Sequence, residues 1–293
     1  MTFILTVPGT EVELAERDHG LVADEWVFTS AGEGIWDLIR PERSAAFATF
    51  AEDYAAVRSA EHRDMTPGEI QKLPTVRPDH PLADMWQQRA ASHQRFTSAL
   101  ADIKPGCALD IGAGCGWLAA DLARKGWQAA AIDVTIDGGD GLSAARHHGA
   151  QLLLARAEME ALPFKANSID LAVFNASLHY AGCAGTALSE SARVVRPGGF
   201  VVVLDSPVFA DPTAGHAMVQ EFAAHTIATL GLEAAEHAGP GFLSEADLDS
   251  LDFRQVDPPK RLRSRLHQWR GARRLGREAA SRPLLIAKIG DSP

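Results

Sequence analysis

Residues 108–116, ALDIGAGCG, carry the clearest structural signal of this 293-residue chain. An apolar run over residues 107–111 predicts a short buried strand, and glycines then occupy positions 112, 114 and 116. Apolar residues recur with helical spacing directly after the last glycine. A strand that turns through glycines into a helix is typical of a cofactor-binding loop, because glycine allows tight turns and lets a ligand approach the main chain.

The spacing of these glycines distinguishes between two classes of cofactor. A dinucleotide-binding loop, G-x-G-x-x-G, would require a glycine at position 117, where this chain has Trp117. A second predicted strand, residues 128–133, ends at Asp133. A carboxylate about twenty residues after the loop can accept hydrogen bonds from ribose hydroxyls. The pattern therefore favours a nucleoside cofactor and makes a nicotinamide dehydrogenase improbable.

ALDIGAGCG and Asp133 resemble motif I and the acidic position that follows it in class I S-adenosylmethionine (SAM) methyltransferases. Three further segments resemble this family in the same order, namely AEMEALPF (157–164), SIDLAVFN (168–175) and RVVRPGG (193–199). Leu178-His179-Tyr180 stands at the family's L-H-H position. The resemblance implies SAM as the cofactor and a Rossmann-like fold of the class I methyltransferase type.

Strand and helix patterns alternate over residues 101–293, which predicts an α/β fold with a mostly parallel seven-stranded sheet and helices on both faces. Strands are expected near 107–111, 128–133, 151–155, 169–175, 199–205, 252–257 and 283–289, and helices near 116–125, 140–149, 183–196, 213–230 and 244–250. Ligands bind beyond the carboxyl ends of the strands in such a sheet. Residues 110–116, Asp133, Glu158 and residues 175–179 are therefore expected at one edge.

The chain is predicted to have two smaller units before this SAM-binding methyltransferase domain of residues 101–293. Residues 1–40 read as a small β-rich unit, and GIWDLI at 34–39 resembles the end of a zinc ribbon found in some methyltransferases. No cysteine precedes Cys107 and the unit holds a single histidine, His19, so we expect a degenerate, zinc-free ribbon and no bound metal. Residues 41–100 read as a helical lid over the cofactor.

The resemblance implies roles for particular residues. Those assigned to cofactor binding are Asp110, Gly112, Ala113, Gly114, Gly116, Asp133, Val134, Glu158, Met159, Asn175, Ala176, Leu178, Tyr54 and Arg89. Asp133 would bind the ribose, Glu158 the adenine amino group, and the glycine loop the methionine part of SAM. Other readings stay open, because Asp110 and Glu158 suit strand-end or helix caps and Arg89 suits a solvated helix face.

His179 is the predicted catalytic residue. Histidine titrates near neutrality, so it can remove a proton from a hydroxyl acceptor during methyl transfer. A carboxylate or a neutral amine would need no base, and a structural histidine bonded to a neighbouring loop is the alternative reading. No N-P-P-Y or D-P-P-Y run follows residue 175, which argues against methylation of an amide or a base amino group.

Composition limits the partners. The net charge of −10 argues against a general nucleic-acid binder, because neutralising phosphates needs a basic surface.

No run of apolar residues approaches the length of a membrane span, and residues 1–10 lack the features of a signal peptide. Three cysteines in all are typical of the reducing cytoplasm. Residues 260–277 hold eight basic residues and Trp269, which suit either an anionic substrate or acidic partner, or a solvated helix.

The sequence therefore predicts a cytoplasmic SAM-dependent methyltransferase that acts on a small-molecule substrate, most readily at oxygen. Two alternatives remain on the same scaffold, because function depends on the site rather than the fold. One is an enzyme that uses SAM for chemistry other than methyl transfer. The other is a catalytically silent subunit that binds SAM or a partner. The net negative charge of the chain argues against methylation of RNA.

Overall fold

The computed structural model describes residues 3–61, 63, 65–136, 139–231, 239–256 and 275–290. The N-terminal strands are β1 (Ala15–Arg17), β2 (Gly20–Ala23), β3 (Trp26–Phe28), β4 (Ser30–Gly32) and β5 (Ile35–Asp37). Helices α1 (Pro41–Ala60), α2 (Pro67–Ile70) and α3 (Ala83–Ala99) follow. The predicted helical segment thus contains two long helices, and proline stands in the first turn of α1, where its missing N–H costs nothing.

Strands and helices then alternate along the chain. In order they are β6 (Cys107–Ile111), α4 (Trp117–Arg124), β7 (Gln128–Asp133), β8 (Leu152–Arg156), β9 (Ile169–Asn175), α5 (Ala184–Val194), β10 (Val195–Leu204), β11 (Val208–Phe209), α6 (Pro212–Leu230), β12 (Leu243–Ser244), β13 (Phe253–Gln255) and β14 (Leu285–Lys288). Short 3₁₀ helices lie at Leu142–His148, Leu178–Tyr180 and Glu245–Leu248. Two of these replace the helices expected near 140–149 and 244–250; the first is stopped by Gly149 in the left-handed conformation.

The main sheet has the strand order β13-β14-β10-β9-β6-β7-β8-β5-β4. Strands β10, β9, β6, β7, β8 and β5 run parallel, whereas β14, β13 and β4 pair antiparallel with their neighbours. Every residue of β6 and β9 is buried, as expected for strands covered by helices on both faces. The predicted class I methyltransferase fold is confirmed, and all seven predicted strands belong to this sheet.

Two strands extend the sheet beyond the predicted seven. Strand β5 pairs in parallel with β8, with Ile35 opposite Leu154, and β4 pairs with β5. Strands β1, β2 and β3 form a separate antiparallel sheet. Residues 3–7 hold only isolated bridges, one of which joins Leu5 to Phe164. The N-terminal segment therefore shares both strands and core contacts with the main sheet.

Candidate cofactor and active site

A cavity of about 430 Å³ lies at the carboxyl ends of β6, β7, β9 and β10, beneath helices α1, α3 and α6. Eleven of the predicted site residues line it, namely Tyr54, Arg89, Gly112, Ala113, Gly114, Asp133, Val134, Met159, Asn175, Ala176 and His179. Four others, Asp110, Gly116, Glu158 and Leu178, do not. The sheet thus gathers most of the expected residues at one edge, although they are widely separated along the chain.

The glycine loop is shaped by close packing. Gly112 has a φ of +69°, and a Cβ placed on it would lie 2.5 Å from the Cβ of Ser177. Gly116 has a φ of +71°, and its Cβ would lie 2.9 Å from that of Ala145. Side chains are excluded at both positions by conformation and by space. Gly112 borders the cavity, whereas Gly116 is the N-cap of α4 and does not line the cavity, so its contact with the cofactor stays a prediction.

Asp133 connects the end of β7 to the glycine loop. One carboxylate oxygen accepts a hydrogen bond from the main-chain N–H of Gly114 at 2.8 Å. The other accepts from the N–H of Thr135 at 2.9 Å and from its hydroxyl at 2.7 Å. Burial raises the pKa of this carboxyl above its ordinary value. Since two ionised oxygens offer about four acceptor positions, Asp133 keeps capacity for a ligand hydroxyl.

Replacing Asp133 with alanine is expected to weaken SAM binding by about 1–3 kcal/mol, the cost of losing a hydrogen bond to a charged group. Isothermal calorimetry on the variant and on Asp102→Ala, which changes an exposed aspartate, measures the loss. An unchanged dissociation constant for Asp133→Ala would remove the ribose-binding role of this residue.

Asp110 lies behind the loop, with only 1% of its surface exposed. Its Oδ2 accepts a hydrogen bond from the N–H of Ala119, in the first turn of α4, at 3.2 Å. Its Oδ1 is buried without a hydrogen-bond partner among the described residues. This hydrogen bond fits the strand-end cap that was the alternative reading, and the contact of Asp110 with SAM stays a prediction.

The buried carboxyl of Asp110 should make stability depend on pH. Burial raises its pKa to about 7, so the folded protein holds a proton that the unfolded chain, with a pKa near 3.9, releases. Stability contributed by this proton is complete below about pH 4 and is lost as the pH rises to about 7. Asp110→Asn should therefore gain roughly 1–3 kcal/mol relative to wild type between pH 5 and pH 8. Urea unfolding of both proteins at pH 5 and pH 8 measures this gain. An equal change in the free energy of unfolding of the two proteins between these pH values would contradict it.

Glu158 and Leu178 also lie outside the cavity. The Glu158 carboxylate forms an ion pair with Arg43 of α1, with 3.0 Å between Oε2 and Nη2. This ion pair holds the carboxylate at α1, and the contact of Glu158 with adenine stays a prediction. Leu178 is fully buried in the core below the site. Met159 does line the cavity beside the glycine loop, as predicted.

His179 borders the cavity and is 7% exposed. Its Nδ1 lies 3.2 Å from the hydroxyl oxygen of Ser206, and its ring packs against that of Tyr180 with 4.1 Å between centroids. These contacts fix the orientation of the imidazole. An oriented imidazole at a cavity wall has the arrangement that a general base needs.

The residue after β10 was missed by the sequence reasoning. Asp205 lines the cavity, and its Oδ2 is buried without a hydrogen-bond partner in the described part of the chain. Leu204, the last residue of β10, stands opposite Asn175 in the sheet, so Asp205 borders the same strand end. An acidic residue at the end of a predicted strand was the available signal, and it is the signal that identified Asp133.

Helix α1 and the residues just after it contribute a cluster of polar side chains. Arg58 donates to the hydroxyl of Tyr180 at 2.7 Å and to Glu61 at 2.7 Å, and its guanidinium lies over the ring of Tyr54, 4.4 Å from the centroid. Glu61 also accepts from Arg63 at 3.0 Å. Two arginines therefore share one carboxylate, and Asp140, which also lines the cavity, is a further negative charge that acts on Arg58. Burial raises the pKa of Tyr54, which keeps its phenol neutral.

Arg89 of α3 adds a further positive charge. Its guanidinium lies over the ring of Trp86, 5.1 Å from the centroid, and within the described residues it forms no ion pair. Burial, followed by repulsion from Arg63, lowers its pKa. An anionic group in the cavity would therefore be favoured at this position.

Some sequence predictions concern regions with little or no description. Most of the basic segment at 260–277 lies outside the described residues, although Arg277 forms an ion pair with Glu221 of α6 at 2.6 Å. Within the described ranges, no cluster of three or more histidine, cysteine or acidic side chains is arranged to hold a metal ion. The helices of the same ranges are too short or too polar to cross a membrane.

Comparison with known proteins agrees with this arrangement. Residues 109–203 match the Methyltransf_11 family, described as a methyltransferase domain. The chain is 33% identical over 123 residues to the malonyl-[acyl-carrier protein] O-methyltransferase of Salmonella typhimurium, covering 41% of this chain and 48% of that protein. The chain is also 34% identical over 94 residues to the enzyme of the same name from Buchnera aphidicola. This match covers 32% of this chain and 37% of that protein. The chain therefore matches about half, or less, of the length of these relatives.

Among solved structures, the phosphoethanolamine N-methyltransferase 2 of Haemonchus contortus in complex with SAM superposes with a TM-score of 0.50 and 15% identity. The superposition covers 83% of this chain and 60% of that chain. At this identity the likeness concerns the fold alone. The resemblance to class I methyltransferases that the sequence motifs predict is confirmed by the family match.

Proposed function

We propose that this chain, which carries a class I methyltransferase domain over residues 109–203, transfers the methyl group of SAM to an oxygen atom of a small acceptor. The observation that supports this most strongly is that one cavity is lined by the glycine loop, Asp133 and His179 together. Both halves of a methyl-transfer site therefore lie in one continuous space. In-line transfer mainly requires that acceptor oxygen, methyl carbon and sulfur be aligned, and such a space can hold them so.

The residues of the cavity fit SAM. Asp133 would accept hydrogen bonds from the ribose, and the main chain of residues 112–114 would lie along the methionine part. Met159 offers an apolar contact for adenine. The buried Oδ1 of Asn175, which has no hydrogen-bond partner within the described residues, is the kind of group a bound ligand satisfies. When bound, SAM supplies a sulfonium-activated methyl group.

The acceptor would occupy the half of the cavity nearer α1 and α6. Its apolar wall is formed by Phe50, Pro207, Met218, Val219 and Phe222. His179 borders this half and would remove the proton of a hydroxyl acceptor. The two helices limit the access of water to the reacting centre, which strengthens electrostatic interactions there.

An acceptor that carries an anionic group would pair with arginines that line the cavity. Arg58 and Arg63 share the carboxylate of Glu61, and Arg89 forms no ion pair within the described residues. The buried Nε of Arg58 has no hydrogen-bond partner among the described residues. The relatives named above act on malonyl-[acyl-carrier protein]. A malonyl thioester is therefore the first acceptor to test, together with hydroxylated small molecules.

The test is to incubate the purified chain with SAM and this acceptor panel, and to follow both products by mass spectrometry. Methyl transfer gives S-adenosylhomocysteine and an acceptor heavier by one methylene group. SAM binding without turnover on any acceptor would instead indicate a silent subunit. Consumption of SAM with no methylated acceptor would indicate chemistry other than methyl transfer, and either outcome overturns the proposal.

A further inference from the structure

Four aromatic rings form a continuous row along one wall of the cavity. His179 packs against Tyr180 with 4.1 Å between ring centroids, and Tyr180 meets Tyr54 of α1 edge to face at 6.1 Å. Tyr54 in turn contacts Phe50, one helical turn earlier on α1, with 5.3 Å between centroids. All four residues line the cavity. The row therefore connects the candidate base to the N-terminal half of α1 through ring contacts alone.

Helix α6 supplies a second apolar wall, next to α1. Met218, Val219 and Phe222 line the same cavity, and their spacing places them on one face of this helix. The start of α6 is fixed by close packing, because a Cβ placed on Gly215 would lie 2.4 Å from the ring of Phe242. Met218 and Val219 pack against the same small core cluster. The cavity face of α6 is therefore held in position from its first turns.

Phe222 lies at the rim of the cavity. Its side chain lines the cavity and is nevertheless 41% exposed, and Phe50 on α1 is half-buried. His179, at the other end of the aromatic row, is only 7% exposed. The cavity thus has an inner end with the nitrogen atoms of an imidazole and a rim with two phenyl rings. Apolar surface left exposed at a binding cavity gains free energy when an apolar ligand covers it.

We propose that the acceptor is an elongated molecule whose oxygen nucleophile reaches His179 and whose apolar body lies along the aromatic row and leaves the cavity between Phe50 and Phe222. This rests on the proposed function, which places methyl transfer beside His179. Phe50 and Phe222 would then determine specificity, because burial of apolar surface at the rim favours a long acceptor over a short polar one. An alkyl chain and a pair of linked aromatic rings share this chemistry, and two series of ligands distinguish them.

Both series are measured on the protein saturated with S-adenosylhomocysteine. 3-Hydroxy fatty acids of four to ten carbon atoms lengthen a flexible chain in known steps, whereas phenol and 4-phenylphenol differ by one rigid ring. Isothermal calorimetry gives the dissociation constant of each ligand for wild type, Phe222→Ser, Phe50→Ser and Phe222→Leu. The matched control is Val27→Ser, which changes an apolar side chain that is 54% exposed on the separate N-terminal sheet.

In wild type, each added methylene should tighten binding by about twofold to fourfold, close to the usual gain for a buried CH₂ group. Phe222→Ser and Phe50→Ser should weaken the ten-carbon ligand by about tenfold or more and leave the four-carbon ligand within about twofold of wild type. Phe222→Leu keeps an apolar side chain and should recover most of this loss. A rise in affinity along the fatty acids alone would assign the apolar body to an alkyl chain, and a rise for 4-phenylphenol alone would assign it to aromatic rings.

Three results would overturn the inference. Affinity in wild type that rises in neither series would indicate a compact, polar acceptor. A dependence on ligand length that is unchanged in both serine variants would mean that the apolar body lies elsewhere. Equal losses for short and long ligands would mean that the two rings only maintain the shape of the cavity.

Affinity for S-adenosylhomocysteine is measured in the same variants and should stay within about twofold of wild type, because neither ring belongs to the glycine loop or to Asp133. If wild type does not bind S-adenosylhomocysteine at all, the proposed function itself fails. This outcome is distinct from the three results that concern the acceptor.

Discussion

Replacing His179 with alanine is expected to lower the turnover number on a hydroxyl acceptor by about 10²–10⁴-fold, the usual contribution of a general base, while SAM affinity stays within about twofold of wild type. The ring borders the acceptor half of the cavity, and Ser206 fixes its orientation. His179→Gln should be about as slow, because an amide keeps a hydrogen bond to Ser206 but cannot remove a proton. Steady-state kinetics at saturating SAM, with calorimetry for the cofactor, measures both effects.

The control is His19→Gln, which changes an exposed histidine far along the chain from the site and should leave turnover unchanged. The dependence of turnover on pH gives an independent readout. Wild type should lose activity as the pH falls and the base is protonated. This loss of activity at low pH should be absent in His179→Gln. Full activity in both His179 variants would exclude the base and would point to an acceptor that is already ionised, such as a carboxylate.

Phe164→Ala is expected to destabilise the fold by about 3–5 kcal/mol, as for other large aromatic side chains removed from a core. Phe164 is fully buried and meets Phe3 edge to face, with 5.8 Å between ring centroids. Its main chain also bridges to Leu5. The loss should therefore include the contact between the N-terminal segment and the main sheet.

Urea unfolding measures the loss of stability, and limited proteolysis reports on the N-terminal segment. In Phe164→Ala, cleavage within residues 3–40 should become faster than in wild type. Val27→Ala, which shortens a side chain that is 54% exposed, should change stability by less than about 0.5 kcal/mol. A loss of stability below about 1 kcal/mol for Phe164→Ala would contradict this. It would show that the surrounding core residues close over the space left by the ring.

The glycine loop and its surroundings could be predicted because their signals are local. The apolar run before Gly112, the glycine spacing and the acid at Asp133 all lie within one strand-turn-helix-strand unit. Strand ends at one edge of a parallel sheet then place Asn175 and His179 in the same cavity. The bounds of β6, β7 and β9 agree with the predicted strands to the residue.

Other features depend on partners that are distant in sequence. Glu158 forms its ion pair with Arg43, which lies 115 residues away in the sequence. Strand β5 has three residues, and its pairing with β8 leaves no periodic pattern in the sequence. Asp110 could have faced a ligand or turned back to α4, and only the packing decides between these.

The pairing of β5 with β8 has a consequence for any shortened form of this protein. Deleting residues 1–40 would remove β4 and β5 and leave the backbone N–H and C=O groups of β8 open along one side. An apolar strand uncovered in this way is a template for pairing between molecules. A truncated chain that begins at the lid helix should therefore self-associate, even though it keeps the glycine loop, Asp133 and His179.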